Sequence, residues 1–436
     1  MATAPSINTV QRLYLAYYGR PADPTGLDFW ATRLDAANGS LNGILDAFAT
    51  SAESQALFGS KSAGDQIKFI FQSAFGRSVP ETDEGFLFYT ARLAQGAKLQ
   101  NLALDILNGA RGTDLTQLQN REAAAARFTS ALDLPAEQAA YSGDAKAELV
   151  RGELSKVLAS TESLNTFNNG VDLLVQRLLG TAKLIEGTIT AGPVVQGNGL
   201  RVTAYDINGN VLGTGSINAN GSYSFAISST YSGPVLVRVV DANNGPDYID
   251  EARKTAVDLT ADLRAFSTVD GPGTYTVNIN PVTELVVRKT GLAGGDQSTS
   301  QLVLSALNTN PAALIEQANR EVAQALGLGT NNNGGTTAPI SSISPVSTVT
   351  STGSSNPQAN PLGLLLAAIS GTERGTGQTT NQVLNNLAAA ITTPANGTAA
   401  TLTPTAQRDL LVGAANSDLN NEVRVTAQLA TNLGQP

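Results

Sequence analysis

The sequence predicts a multidomain α + β chain: an N-terminal all-α repeat domain, a central small β-sandwich and a C-terminal mainly α region. Three observations carry this expectation. The stretch LYLAYYGRPADPTGLDFW returns in degenerate form as FIFQSAFGRSVPETDEGFLFY. At about Ile185 the apolar period drops from near 3.6 to near 2, and from Pro281 it returns to the helical value. The corresponding domains are expected at residues 1–182, 183–280 and 281–436.

The repeat is read residue by residue. Val10, Leu13, Tyr14, Tyr17 and Tyr18 match Ile67, Ile70, Phe71, Ala74 and Phe75, each set spaced as one face of a helix. Gly19-Arg20 and Gly76-Arg77 mark where those helices stop. Gly26, Phe29, Trp30, Arg33 and Leu34 then match Gly85, Phe88, Tyr89, Arg92 and Leu93, after a loop two residues longer in the second copy. Asp23-Pro24 supplies an N-cap and a first-turn proline for the helix bearing Phe29 and Trp30. Leu41, Ile44, Leu45 and Phe48 form a further stripe, repeated as Leu99, Leu102, Ala103 and Ile106. Helices are expected at Arg121–Leu132, Ala145–Leu158 and Val171–Leu179. A helical unit that cannot bury its own apolar face is repeated to build scaffolds and binding surfaces.

Alternation places Leu200, Val202 and Ala204, then Tyr223, Phe225 and Ile227, then Val235, Val237 and Val239 on the inner faces of short strands. Asn208-Gly209 and Asn220-Gly221 are hairpin signals between them. A further strand pair is expected through Ala256–Leu263 and Tyr275–Ile279. Beyond it, helices are expected at Val282–Thr290, Ser300–Leu307, Pro311–Leu326, Leu362–Ser370, Thr380–Thr392 and Thr405–Leu433. The Ser/Thr/Asn/Gly-rich stretch near 327–361 reads as either a linker or a surface-covering loop.

Composition removes whole classes of chemistry. With no cysteine and no histidine, thiol nucleophiles, thiolate or imidazole metal sites and Ser-His-Asp triads are excluded. No enzyme and no organic cofactor are expected. The 36 acidic against 27 basic residues give a net charge of −9, which disfavours nucleic acid as a partner. Charge is sparse, at 14%, and a surface of Ser, Thr, Asn, Gln and Gly suits extended protein contact or the extracellular medium. No run of roughly 18 apolar residues exists to span a membrane. Met1 to Leu13 lacks the basic and apolar regions of a cleavable signal peptide, so export would need another route.

The motif Leu13-Tyr14-Leu15-Ala16-Tyr17-Tyr18-Gly19-Arg20-Pro21-Ala22-Asp23, followed by Gly26-Leu27-Asp28-Phe29-Trp30, closely resembles a helical domain of unknown function. That domain is common in large secreted proteins of Gram-negative bacteria, including surface-layer (S-layer) proteins and substrates of type I secretion. Residues 187–279, with the Asp206–Asn210 turn and the strand entry Asn220–Phe225, resemble carboxypeptidase-regulatory or bacterial Ig-like sandwiches of surface proteins. The chain departs from type I substrates in having no glycine- and aspartate-rich nonapeptide repeats. The resemblance implies an extracellular, cell-surface protein that assembles with copies of itself and is held by lipopolysaccharide or a surface polysaccharide. A secreted or surface-tethered adhesin that binds glycans is the alternative.

Two groups of residues are candidates for binding. Trp30 beside Arg12, Arg20 and Arg33 suits a surface-anchoring platform on which sugar rings stack, whereas helical core packing explains the same aromatic spacing more simply. Asp241, Asn243, Asp247 and Asp250 concentrate oxygen ligands of the kind hard calcium requires. Glycine arrives there at the fifth position and not the EF-hand's sixth, and a solvated loop is the simpler account. Calcium is also the expected bridging ion between acidic subunits. Lys183 is a candidate for an isopeptide crosslink with no partner marked.

Overall fold

Two helices end alike in the N-terminal half, as the repeat requires. The computed structural model describes residues 2–243, 245–295, 302–307, 310–328, 338–394, 399–418 and 425–433. The chain divides into two compact units, Met1–Thr181 and Ala182–Pro436. The first unit is built from α1 Ala4–Tyr18, α2 Pro24–Ala36, α3 Asn42–Thr50, α4 Ala52–Phe58, α5 Ala63–Phe75 and α6 Glu84–Ala94. It continues through α7 Leu99–Asn108, α8 Gly112–Ala131, α9 Pro135–Ala140, α10 Asp144–Ser155 and α11 Thr161–Leu179.

Gly19 (φ 66°) closes α1 and Gly76 (φ 64°) closes α5, and their N–H groups donate to Leu15 O and Gln72 O. This left-handed turn strains any residue with a Cβ. Asp23 then caps α2 by accepting from Gly26 N at 2.6 Å, and Asp83 caps α6 by accepting from Phe86 N at 3.0 Å. The matched apolar positions of α1 and α5 are all buried in one cluster with Ile44, Leu45, Phe48, Leu99, Leu102, Ala103 and Ile106. A second cluster joins α8, α10 and α11 through Phe128, Val150, Leu154, Val171 and Leu174.

Arg121 stitches the two clusters. It is 1% exposed, and its guanidinium donates to Gln72 O at 2.9 Å, Val157 O at 3.1 Å, Ser155 O at 2.9 Å and also to Ser73 O. Those carbonyls lie at or just beyond the ends of α5 and α10, where helix dipoles favour a cation. Burial nonetheless pulls its pKa down to about 10. Arg121 is therefore an interior residue of α8 and not the start of a helix. The expected segment Val171–Leu179 likewise extends back to Thr161, because Ser160 caps it by accepting from Ser163 N at 3.3 Å.

The second unit opens with β1 Lys183–Thr188, β2 Leu200–Tyr205, β3 Val211–Ser216, β4 Ser222–Ile227 and β5 Gly233–Asp241. It goes on through β6 Tyr248–Ile249, β7 Ala256–Val257, β8 Arg264–Val269 and β9 Gly273–Thr276. One sheet has the order β3-β2-β5-β8 and the other β4-β1-β9, while β6 and β7 form a small ladder. The residues read as inward-facing on β2, β4 and β5 all lie in the apolar core shared by the two sheets. Asp206 shapes the β2–β3 turn by accepting from Asn208 N and Asn210 N, both at 2.8 Å.

The expected strand pair Ala256–Leu263 with Tyr275–Ile279 does not form. Ala256-Val257 pairs with Tyr248-Ile249, and Gly273–Thr276 lies parallel to β1, Lys183 opposite Gly273. Leu259 and Leu263 are buried as single anchors of an irregular segment, in which Asp262 accepts from Gly295 N at 3.0 Å. Their alternation thus imitates a strand.

Helices α12 Pro281–Lys289, α13 Pro311–Ala325, α14 Pro361–Thr376, α15 Thr380–Ala390, α16 Pro404–Asp418 and α17 Val425–Asn432 follow, with strands β10 Ile391-Thr392 and β11 Thr401-Leu402. The expected helix Ser300–Leu307 falls partly outside the described residues, and 302–307 form no helix. The expected helix Thr405–Leu433 is two helices, with residues 419–424 outside those described. The stretch 327–361 includes the undescribed 329–337, whereas Ile340, Thr348 and Val349 beyond them are buried, so this part covers the core.

Strand β5 is covered on both faces. Val235, Val237 and Val239 point into the sandwich, while Leu236 joins Phe266 in a cluster with α12 to α17. On this helix-facing side sits a buried charge network. Glu284 of α12 accepts from Arg264 Nε at 3.0 Å and Nη2 at 2.7 Å, and from Arg288 Nε at 2.8 Å.

Where α14 crosses α16, a Cβ on Gly371 would overlap the Gly413 carbonyl oxygen, and one on Gly413 would overlap the Ala368 carbonyl oxygen. Backbone touches backbone there. Gly371→Ala is expected to force the helices apart and to destabilise the second unit by about 1–3 kcal/mol. Urea unfolding followed by circular dichroism measures this. A Gly371→Ala variant as stable as the parent would refute so close a crossing.

Candidate functional site

The aromatic residues of the repeat divide between interior and surface. Tyr14, Tyr17 and Tyr18 are buried around Phe48, with Tyr17 Oη 2.8 Å from Ser54 Oγ and Tyr18 Oη 2.9 Å from Ser51 Oγ. Burial, reinforced by the Asp23 charge, holds the Tyr14 phenol above its ordinary pKa. Core packing therefore accounts for these three rings.

Two of the residues considered for anchoring are taken up internally. Arg20 is 13% exposed and grips Glu53 with both arms, Nε to Oε1 at 2.7 Å and Nη2 to Oε2 at 2.6 Å. It also lies over the rings of Tyr14, Tyr18 and Tyr141, so it serves as a core cation and not as a surface contact. Arg12 is paired with Glu122 of α8 at 2.6 Å. Its place opposite an acidic side chain on a neighbouring helix was not legible from its own segment.

Trp30 and Arg33 do reach the surface. Trp30 is partly buried, its ring 4.8 Å from that of Phe29, which is 44% exposed. The Arg33 guanidinium stands 4.0 Å from the Phe29 centroid and 5.7 Å from that of Trp30. The second copy reproduces this arrangement. Phe88, 56% exposed, packs edge-on against Tyr89 at 5.1 Å, and Arg92 lies 5.7 Å over Phe88. The repeat thus preserves a surface feature along with its core.

The acidic loop is brought together differently from the expectation. Asp241 ends β5, Asp247 precedes β6 and Asp258 follows β7, and one carboxylate oxygen of each lies within 4.8 Å of the others. Burial, together with the charges of Asp241 and Asp258, pushes the Asp247 carboxyl up to about 6, against the pull of the Leu259 amide. Asn243 donates its backbone N–H to Asp241 Oδ1 at 2.9 Å, and its side-chain oxygen accepts from Gly245 N at 2.6 Å. Asp250 is turned away. It accepts from Ala252 N at 3.1 Å and Arg253 N at 2.6 Å, and pairs with Arg253 Nη1 at 3.0 Å. Asp258 was missed, although a turn centred on 251–254 would have set it across from Asp247.

Two further acids are buried, one on the same hairpin and one on α14. Glu251 accepts from Thr348 Oγ1 at 2.6 Å, and Glu373 of α14 is 8% exposed. Burial pushes their carboxyls up to about 7 and about 8 respectively. Lys183 Nζ donates to the Tyr231 carbonyl, which is no isopeptide partner. No helix among the described residues is long and apolar enough to cross a membrane.

Residues 6–58, which span nearly all of α1 and the whole of α2 to α4, match the family described as a domain of unknown function, DUF4214. No curated protein and no solved structure matches the chain.

Proposed function

We propose that this chain is a structural, non-enzymatic cell-surface protein that assembles with copies of itself, as an S-layer or S-layer-like lattice subunit outside a Gram-negative cell. The observation that carries the reading is the repeated exposed pair, Phe29 with Arg33 and Phe88 with Arg92. Neither phenylalanine belongs to the interior cluster of its module, Phe29 being 44% and Phe88 56% exposed. Leu87, 54% exposed, widens the second patch. Apolar rings retained on the surface of successive modules suit contact with other macromolecules. A lattice needs contacts that propagate without closing into a small ring, and chemically distinct units supply unlike surfaces for them.

Negative-stain microscopy of the purified chain, with and without millimolar calcium, tests the reading. Ordered sheets or tubes are expected. A Phe29→Ser, Phe88→Ser variant is expected to stay dispersed while its stability changes by no more than about 0.5 kcal/mol, as befits exposed positions. Monodisperse protein at high concentration under every ionic condition would overturn the proposal. Trp30, Phe29 and Arg33 also suit stacking on a sugar ring. Persistent monomers that bind lipopolysaccharide or surface polysaccharide through Trp30 would favour a glycan-binding adhesin instead.

A further inference from the structure

The end of the β6–β7 ladder brings two aspartates together. Tyr248 pairs with Val257, Asp247 directly precedes the one and Asp258 directly follows the other, and like charges held close on neighbouring strands repel. The backbone holds Asp247 in that position. Its N–H donates to Val257 O at 2.7 Å, and its carbonyl accepts from Val195 N at 2.8 Å. Asp241 arrives from β5, where it pairs with Leu200, and Ala242 N donates to Gly199 O at 3.1 Å immediately after it. Three separate backbone tethers thus converge three carboxylates, with one oxygen of each within 4.8 Å of the others.

A second observation points to a missing partner. Asp247 is 0% exposed, and although Oδ2 accepts from Leu259 N at 2.9 Å, Oδ1 has no hydrogen-bond partner among the described residues. Oδ1 of Asp258 is buried and unpartnered in the same way. Buried carboxylates are tolerated when they are paired, hydrogen-bonded or bound to a metal. Here the nearest like-charged neighbours are other carboxylates.

We propose that Asp241, Asp247 and Asp258 bind one calcium ion. The donors are all carboxylate oxygens, which select a hard cation over zinc or copper. Calcium–oxygen distances of about 2.3–2.6 Å let opposed ligands stand roughly 5 Å apart, so the three can bind from near their present positions. Magnesium's octahedral shell at about 2.0–2.1 Å would draw opposed ligands to roughly 4 Å. The partly exposed Asp241 and Asp258 leave room for water to complete the shell. The ion would fasten the β6–β7 hairpin to the end of β5. This site goes beyond the assembly reading and does not rest on it.

The test uses the full chain, stripped with a chelator and kept dilute so that binding is read apart from assembly. Calcium titrated by calorimetry is expected to bind at this site with one-to-one stoichiometry. Calcium at a hundredfold excess over Kd is expected to raise the Tm of the second unit by roughly 5–10 °C. Asp247→Asn and Asp258→Asn should abolish both responses while leaving the metal-free protein at least as stable as the parent, because each removes a repelling charge. Glu186→Gln, an exposed change of equal charge on β1, should leave both responses intact. The proposal is overturned by an absent calcium response in the parent chain, by a response that survives Asp247→Asn, or by magnesium binding more tightly than calcium.

Discussion

Glu284→Gln is expected to destabilise the second unit by about 3–5 kcal/mol, the loss typical of breaking a buried ion pair. Glu284 and Arg264 are both 0% exposed, and Arg288 is 8% exposed. One carboxylate serves two guanidinium groups. Burial opposes the charge on Arg264, yet the Glu284 carboxylate and the nearby Asp262 hold its pKa above the usual value. Glutamine keeps the shape but removes the charge, so two buried cations lose their shared anion. The loss should appear in the urea transition of the second unit and leave that of Met1–Thr181 in place. Replacing the whole network, Arg264→Met with Glu284→Leu and Arg288→Met, should cost far less, since well-packed apolar substitutes avoid desolvating charge. A Glu284→Gln variant that loses under about 1 kcal/mol would show that packing alone holds α12 to β8.

Raising the pH from 5 to 9 is expected to weaken the second unit by an amount on the order of a few kcal/mol, through Glu251 and Glu373. Burial raises the first to about 7, against hydrogen bonds from Thr348 and Ser347. It raises the second to about 8, against a bond from Thr380 and the charge of Arg253, with Asp250 adding to the rise. Both carboxyls bind protons more tightly folded than unfolded. Their contribution is complete below the unfolded pKa, near 4.5, and is lost as pH climbs through about 7 and then about 8. Thermal melts across this range measure the slope. A Glu251→Gln, Glu373→Gln variant should flatten it, and an unchanged slope in that variant would assign the effect to other groups.

What could be read in advance was what is local. The α1 and α5 faces, the Gly19 and Gly76 stops and the Asp23 cap follow from residues within a few positions of one another, and they appear where the spacing puts them. The inner faces of β2, β4 and β5 were legible because alternation is a property of a single strand. Pairing is not such a property. β9 sits beside β1, whose partner residues lie ninety positions away, as 273 less 183 shows. Likewise Arg264 and Glu284 look like ordinary polar residues until β8 and α12 enclose them. Asp247 was singled out within an oxygen-rich stretch, but Asp258 joins it only once the β6–β7 hairpin has folded, and Asp250 faces away because the turn needs it as a cap. Trp30 packs partly against the core and Arg33 lies over the Phe29 ring beside it, while Arg12 and Arg20 found anions on other helices.

The parallel alignment of β1 with β9 bears on how the chain is born. The helical unit, Met1–Thr181, is compact in itself, and domains generally fold as units during synthesis, the N-terminal one first. β1 follows at once, but one of its two flanks stays open until Gly273 has been made. At roughly 5–20 residues per second that wait lasts about 5–20 s. Throughout it a nascent strand edge is bare, and any other such edge nearby is a rival for it.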